Sequence, residues 1–119
     1  MNLNSARKKA TKLRLHQVEY TLVVCMDRKT AKCCSGKAME ETWRHIKHCC
    51  KQHRKAGRSV VLRIKAGCIG VCKGGPIVGV LPDGIWYGDC TPQVIDRIFD
   101  EHLGQGSVVE SHVIASPSS

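Results

Sequence analysis

The alternation of apolar and polar positions divides the chain into short strands and two amphipathic helices. "EYTLVVC", residues 19–25, is a short β-rich run and predicts a buried strand ending at Cys25. "MDRKTAKCCSG" follows as a polar loop. In "KAMEETWRHIKHCCKQHRKAG", Met39, Trp43, Ile46 and Cys50 recur at offsets 0, 4, 7 and 11, which is one face of a helix. Ser35 suits its N-cap, Glu40 and Glu41 fall near its first turns, and Gly57 ends it. That face assigns Cys50 to the core and Cys49 to its flank. "SVVLRIKAG" predicts a second strand, in which Val60, Leu62 and Ile64 alternate with Val61, Arg63 and Lys65. "PIVGVL", the turn signal "PDG" at residues 82–84 and "IWYG" predict a hairpin. "TPQVIDRIFDEHLG" announces a last helix, with Thr91 as N-cap, Pro92 at its first position, Gly104 past its end, and Ile95, Ile98, Phe99 and Leu103 as its buried stripe.

The order is strand, helix, strand, hairpin, helix. Two strands joined through a helix are expected to be parallel with a right-handed crossover, and the hairpin adds antiparallel strands. The expected fold class is therefore α/β: a thioredoxin-like two-layer sandwich with a mixed four- to five-stranded sheet and two main helices. Residues 1–17 are expected as a basic, disordered arm, residues 18–114 as the folded domain, and residues 115–119 as a frayed tail. At 119 residues the chain holds one modest core, and with five aromatic residues that core rests on Val, Ile and Leu. No apolar run reaches membrane-spanning length, and the N-terminus lacks the apolar region of a secretory signal.

Charge changes the picture in one respect. The formal net charge is +9, but residues 1–65 hold 17 Lys and Arg against four acids, while residues 66–119 hold two against six. The first half is suited to an acidic partner. Nucleic-acid binding is disfavoured, because the basic stretches lack interleaved aromatics and no helix-turn-helix or zinc-finger spacing occurs.

Eight cysteines without an export signal point to a reducing, cytoplasmic setting and to metal or redox chemistry rather than disulfides. On the predicted layout Cys25 ends the first strand and Cys34 precedes the first helix. Cys68 and Cys72 lie after the second strand, within "KAGCIGVCKGGP". Parallel strands send both loops out at the same sheet end, so thiols from the two loops can converge. Four such thiolates suit an iron–sulfur cluster or a structural zinc. Adjacent side chains of extended chain point to opposite sides, so Cys33 and Cys34 compete for one position. Gly67, Gly70, Gly74 and Gly75 allow close backbone approach and amide donors toward a buried cluster. A disulfide enzyme would want C-x-x-C at a helix start, and none is present. His45, His48, Cys49 and His53 share the basic helix and read as a solvated face. Trp86 and Tyr87 read as hairpin packing, and Cys90 carries no assigned chemistry.

"VVC", a short loop, "CC", a helix, and then "GCIGVCKGGPIVGVLPDGIWYGDCTPQVIDRIFDEHL" together resemble the thioredoxin-like [2Fe–2S] ferredoxins. They are also similar to the homologous domain in the 24-kDa-type subunit of respiratory complex I. The resemblance runs from about residue 18 to 114, and C-x3-C, G-P, P-D-G-x-W-Y-G and T-P occur in order within it. It implies a soluble, non-enzymatic one-electron carrier. It also implies a [2Fe–2S] cluster held by Cys25, Cys34, Cys68 and Cys72, the first two on one iron and the last two on the other. A homodimer is implied with it, while the basic first half is expected to dock a redox partner with an acidic face. The chain departs from the family in its shorter first loop, with eight residues between Cys25 and Cys34, which leaves Cys33 as a substitute for Cys34. A structural zinc or a nucleic-acid-interacting module of the same fold is the alternative.

Overall fold

The computed structural model describes residues 2–25, 36–67 and 74–117. Its elements are α1 (Asn4–Lys12), β1 (Val18–Cys25), α2 (Gly36–Lys55), β2 (Val60–Ala66), β3 (Val78–Leu81), β4 (Ile85–Tyr87), α3 (Pro92–Arg97) and β5 (Val113–Ala115). α3 widens into π-helical turns over Ile98–Leu103. The five strands form one mixed sheet in the order β2-β1-β3-β4-β5. β1 and β2 pair in parallel, as the strand–helix–strand pattern predicts. β3 lies antiparallel to β1, and β3 and β4 form the expected hairpin.

β1 shows why the sheet sides with its helices. Leu22 and Val24 are fully buried, while Thr21 and Val23 on either side of Leu22 are only half-buried. That alternation turns one face of the pleat into the core. Val78, Val80, Ile85 and Tyr87 continue the same core from the hairpin. α2 and α3 close it side by side, and contribute Ile46, Cys49, Val94 and Ile95. Ile98, Phe99 and Leu103 extend the stripe expected of the last helix.

Among the described residues, helix ends follow their sequence signals with one exception. Thr91 caps α3, its hydroxyl oxygen accepting from the Val94 N–H at 3.4 Å, and Pro92 opens the helix. At the end of α2, Gly57 adopts φ +70°, its N–H bonds to the Arg54 carbonyl, and the Arg58 N–H bonds to that of His53. This is a Schellman stop, which requires the left-handed residue that Gly supplies. The last helix does not stop at Gly104, whose φ is −81°. The chain turns two residues later at Gly106, with φ +71°. The wider π turns carry the helix past the first glycine, and the second has the conformation that ends it.

Two further features differ from the sequence reading. The buried face of α2 comprises Met39, Thr42, Ile46, Cys49 and His53, with Trp43 and Cys50 only partly buried beside it. Cys49, not Cys50, is the central thiol, and His53 is core rather than solvated face. Residues expected as an unordered arm include α1, a nine-residue helix with no buried residue. A fifth strand, β5, pairs with β4 where the tail begins, which completes the expected four to five strands.

Candidate functional site

The register of β1 against β2 organises the end of the sheet. Cys25, the last residue of β1, sits opposite Ala66, the last residue of β2. The two stretches that follow, each carrying cysteines, therefore leave from the same rim. Cys25 is 3% exposed, and its N–H donates to the Ile77 carbonyl at 3.1 Å. The returning segment Gly74–Ile77 is thus tied to the end of β1.

A second tie comes from the far side. The Asp89 N–H donates to the Gly74 carbonyl, and the Cys90 N–H to the Pro76 carbonyl at 2.9 Å. A Cβ on Gly88 would lie 3.0 Å from the Gly74 carbonyl oxygen, so this backbone approach leaves little room for a side chain. The start of α2 joins the same rim through Thr42, whose hydroxyl donates to the buried Cys90 carbonyl at 2.6 Å. Strand ends, the returning loop and both helix entries are therefore fastened around one place.

Of the predicted ligands, Cys25 is among the described residues and stands on this rim. Cys33, Cys34, Cys68 and Cys72 lie outside them, as do Ser35 and Gly70. Cys68 follows Ala66 by two positions and Cys34 precedes Gly36 by two. A thiol at the end of β1, with cysteine-bearing stretches beginning at that same end, is a donor chemistry that fits a thiolate-ligated iron–sulfur group or zinc.

The remaining cysteines have other environments. Cys90 is fully buried, its Sγ donates to the Gly88 carbonyl at 3.7 Å, and burial pushes its thiol up to about 12. Burial pushes the Cys50 thiol up to about 11, with Arg63 pulling the other way. Burial and the neighbouring Asp96 carboxylate raise Cys49 to about 12.

A buried polar chain escaped the sequence reading. The Tyr87 hydroxyl lies 2.7 Å from His102 Nδ1, and His102 Nε2 lies 2.7 Å from Asp83 Oδ2. The Val109 N–H donates to the Tyr87 oxygen at 3.2 Å. Tyr87 and His102 are almost fully buried, so these bonds offset the cost of placing their polar atoms in the core. Burial also raises the Tyr87 phenol above its usual range. The only advance signal was "PDG" one residue before "WY", which specified a turn and not a bond.

On the opposite edge the basic charge gathers. Lys47, Lys51 and Arg54 border a hollow of ≈390 Å³ floored by Leu13, Val18 and Val60. Beside it the Arg63 guanidinium stands 3.9 Å from the Trp43 ring centroid and donates to the Trp43 carbonyl at 3.1 Å. Among the described residues no helix is long and apolar enough to cross a membrane.

No family model matches the chain. Its sequence is 47% identical over 49 residues to a 2Fe-2S ferredoxin of Aquifex aeolicus, covering 41% of this chain and 44% of that protein. It is 42% identical over 52 residues to a 2Fe-2S ferredoxin of Clostridium pasteurianum, covering 44% and 51%. These matches span about half the length of the curated relatives. The structure of a thioredoxin-like [2Fe-2S] ferredoxin from Aquifex aeolicus superposes with a TM-score of 0.73 at 26% identity, over 84% of this chain and 94% of that one. The fold is therefore thioredoxin-like α/β, and the chain resembles the thioredoxin-like [2Fe–2S] ferredoxins in both sequence and structure.

Proposed function

We propose that the chain is a one-electron carrier that holds a [2Fe–2S] cluster through Cys25, Cys34, Cys68 and Cys72, with Cys33 as the substitute for Cys34. One observation carries the reading. A sheet whose parallel strands end together at Cys25 and Ala66 occurs in a chain that resembles [2Fe–2S] ferredoxins in sequence and fold. The relatives are named for iron and sulfide rather than zinc, which favours the cluster over a structural metal.

When bound, the cluster supplies reversible one-electron chemistry. The protein's part is to hold it. Cys25 fixes one thiolate at the end of a core strand, where the bond from its N–H to Ile77 limits its movement. Backbone bonds from Gly74–Ile77 to Cys25, Asp89 and Cys90 brace that rim. The protein performs no bond-making step on a substrate. In this reading residues 18–114 form the ferredoxin domain, which works in the reducing cytoplasm, pairs with a second copy of itself, and presents its basic α2–β2 side to acidic redox partners.

Anaerobically purified protein tests the proposal. The expected result is brown protein containing iron and acid-labile sulfide, with a rhombic paramagnetic resonance signal on reduction. Cys68→Ser and Cys72→Ser should lose most of the cluster, while Cys50→Ser keeps the visible spectrum. Colourless protein with one zinc, or an unchanged spectrum in Cys72→Ser, overturns the assignment.

A further inference from the structure

The π-widened last helix and α2 bring together a second group of donors, away from the cysteines discussed above. His45 and Cys49 stand one helical turn apart on α2, and Asp96 faces them from α3. His45 Nε2 is 2.6 Å from Asp96 Oδ1. The Cys49 thiol donates to the same oxygen at 3.6 Å. One ligand atom from each residue lies within 4.8 Å of the other two. We propose that His45, Cys49 and Asp96 form a zinc site that bridges α2 and α3, with an open fourth position for water.

The donor set is a mixed one. Thiolate, imidazole and carboxylate are the three side-chain ligand types that zinc accepts, and three protein ligands plus water are its usual open arrangement. A tetrahedral zinc with bonds of about 2.3 Å to sulfur and about 2.0–2.1 Å to nitrogen or oxygen needs ligand atoms roughly 3.3–3.6 Å apart. The sulfur–oxygen distance of 3.6 Å already meets this. The His45–Asp96 contact must open by about 0.7 Å, the difference between a hydrogen bond and a ligand edge. Asp96 can make that movement, because its side chain is 57% exposed. Binding displaces the thiol proton to solvent and takes the His45 tautomer with its proton on Nδ1, so that Nε2 offers its lone pair to the metal.

The surroundings provide room for the remaining ligand. Cys49 and Asp96 line a hollow of ≈160 Å³ together with His48, Gln52 and His53. His53, 6% exposed, packs edge-on against Phe99 at 4.9 Å in the wall of this hollow. The arrangement differs from a histidine pair on a helix surface, because one ligand is a buried thiol and another comes from a second helix.

Equilibrium dialysis of the full chain, purified with its native metal content, against buffered Zn²⁺ tests the site, with iron and zinc assayed together. One zinc per chain should bind without loss of iron. His45→Gln, Cys49→Ser and Asp96→Asn should each weaken binding at least about tenfold, since loss of even an outer-sphere partner has that effect. Cys50→Ser should leave it unchanged. Asp96→Asn alters an exposed side chain, so it keeps the test valid if Cys49→Ser fails to fold. X-ray absorption at the zinc edge should show one sulfur with nitrogen and oxygen neighbours. Absence of zinc uptake, uptake unchanged in Asp96→Asn, or an all-sulfur zinc environment overturns the proposal. An all-sulfur result with low iron would instead place zinc on the Cys25 set and count against the cluster.

Discussion

Cys90 shows how far a residue's type can mislead about its role. In a chain with eight cysteines it is a natural candidate for metal binding or redox work. In the structure it is a packing residue: fully buried, its carbonyl taken by Thr42 and its thiol directed at the Gly88 carbonyl. A thiol pushed up to about 12 is almost wholly protonated near neutrality. At about pH 8 the thiolate fraction is roughly one in ten thousand, and only the thiolate is nucleophilic. Native protein treated with iodoacetamide near that pH should leave Cys90 unlabelled in peptide mass spectra, while denatured protein labels it fully. Rapid native labelling would mean that this rim opens far more readily than its hydrogen bonds indicate. Tyr87, His102 and Asp83 teach a related lesson. The sequence marks Tyr87 as hairpin packing, and it is packed, but its hydroxyl also anchors a helix residue and the Val109 backbone.

At the scale of elements, strands and turns were legible because their signals are local. The hairpin followed from "PDG" between two apolar runs, and the cap at Thr91 from the Thr-Pro pair. The face of α2 was read about one residue out of register. Counting only apolar letters selected Trp43 and Cys50, while the helix turns Thr42, Cys49 and His53 inward instead. Each of these has an inward contact far away in sequence: Thr42 with Cys90, Cys49 with Asp96, and His53 stacked edge-on against Phe99 at 4.9 Å. A helical periodicity carries no information about such distant partners. α1 was missed for the opposite reason: with no buried face, it has no apolar stripe to read. The Thr42 bond gives the element-scale prediction. Thr42→Val removes the donor and leaves the buried Cys90 carbonyl without it. The expected loss is about 1–3 kcal/mol, the usual cost of an unsatisfied buried group. Thr42→Ser, which keeps the hydroxyl, should recover much of it. A urea midpoint equal to wild type in Thr42→Val would show that α2 does not depend on this tie to the rim.

Across the whole molecule, folding gives the charge asymmetry of the sequence a location. Residues 1–65 supply α2 and β2, so Lys47, Lys51, Arg54 and Arg63 lie together at one edge of the sheet, whereas Asp83, Asp96, Asp100 and Glu101 belong to the hairpin and last helix. Lys47, Lys51 and Arg54 are spaced along one side of α2 and are all exposed, and among the described residues no ion pair joins them to an acid. Four thiolates on two irons carry a formal charge of about −2, too little to cancel a net charge of +9. An electron carrier of this kind should attract anionic partners at long range, over a Debye length that shrinks from about 30 Å at ~0.01 M salt to about 3 Å at ~1 M. Stopped-flow oxidation of the reduced protein measures this without a natural partner. The rate with ferricyanide should fall several-fold as salt rises across that range, while the rate with a cationic ruthenium hexaammine complex should rise. Replacing Lys47, Lys51 and Arg54 by Glu should flatten the ferricyanide dependence. Equal slopes for the two probes would mean that the basic edge exerts no field where electrons leave the protein, and the acidic docking partner would lose its support.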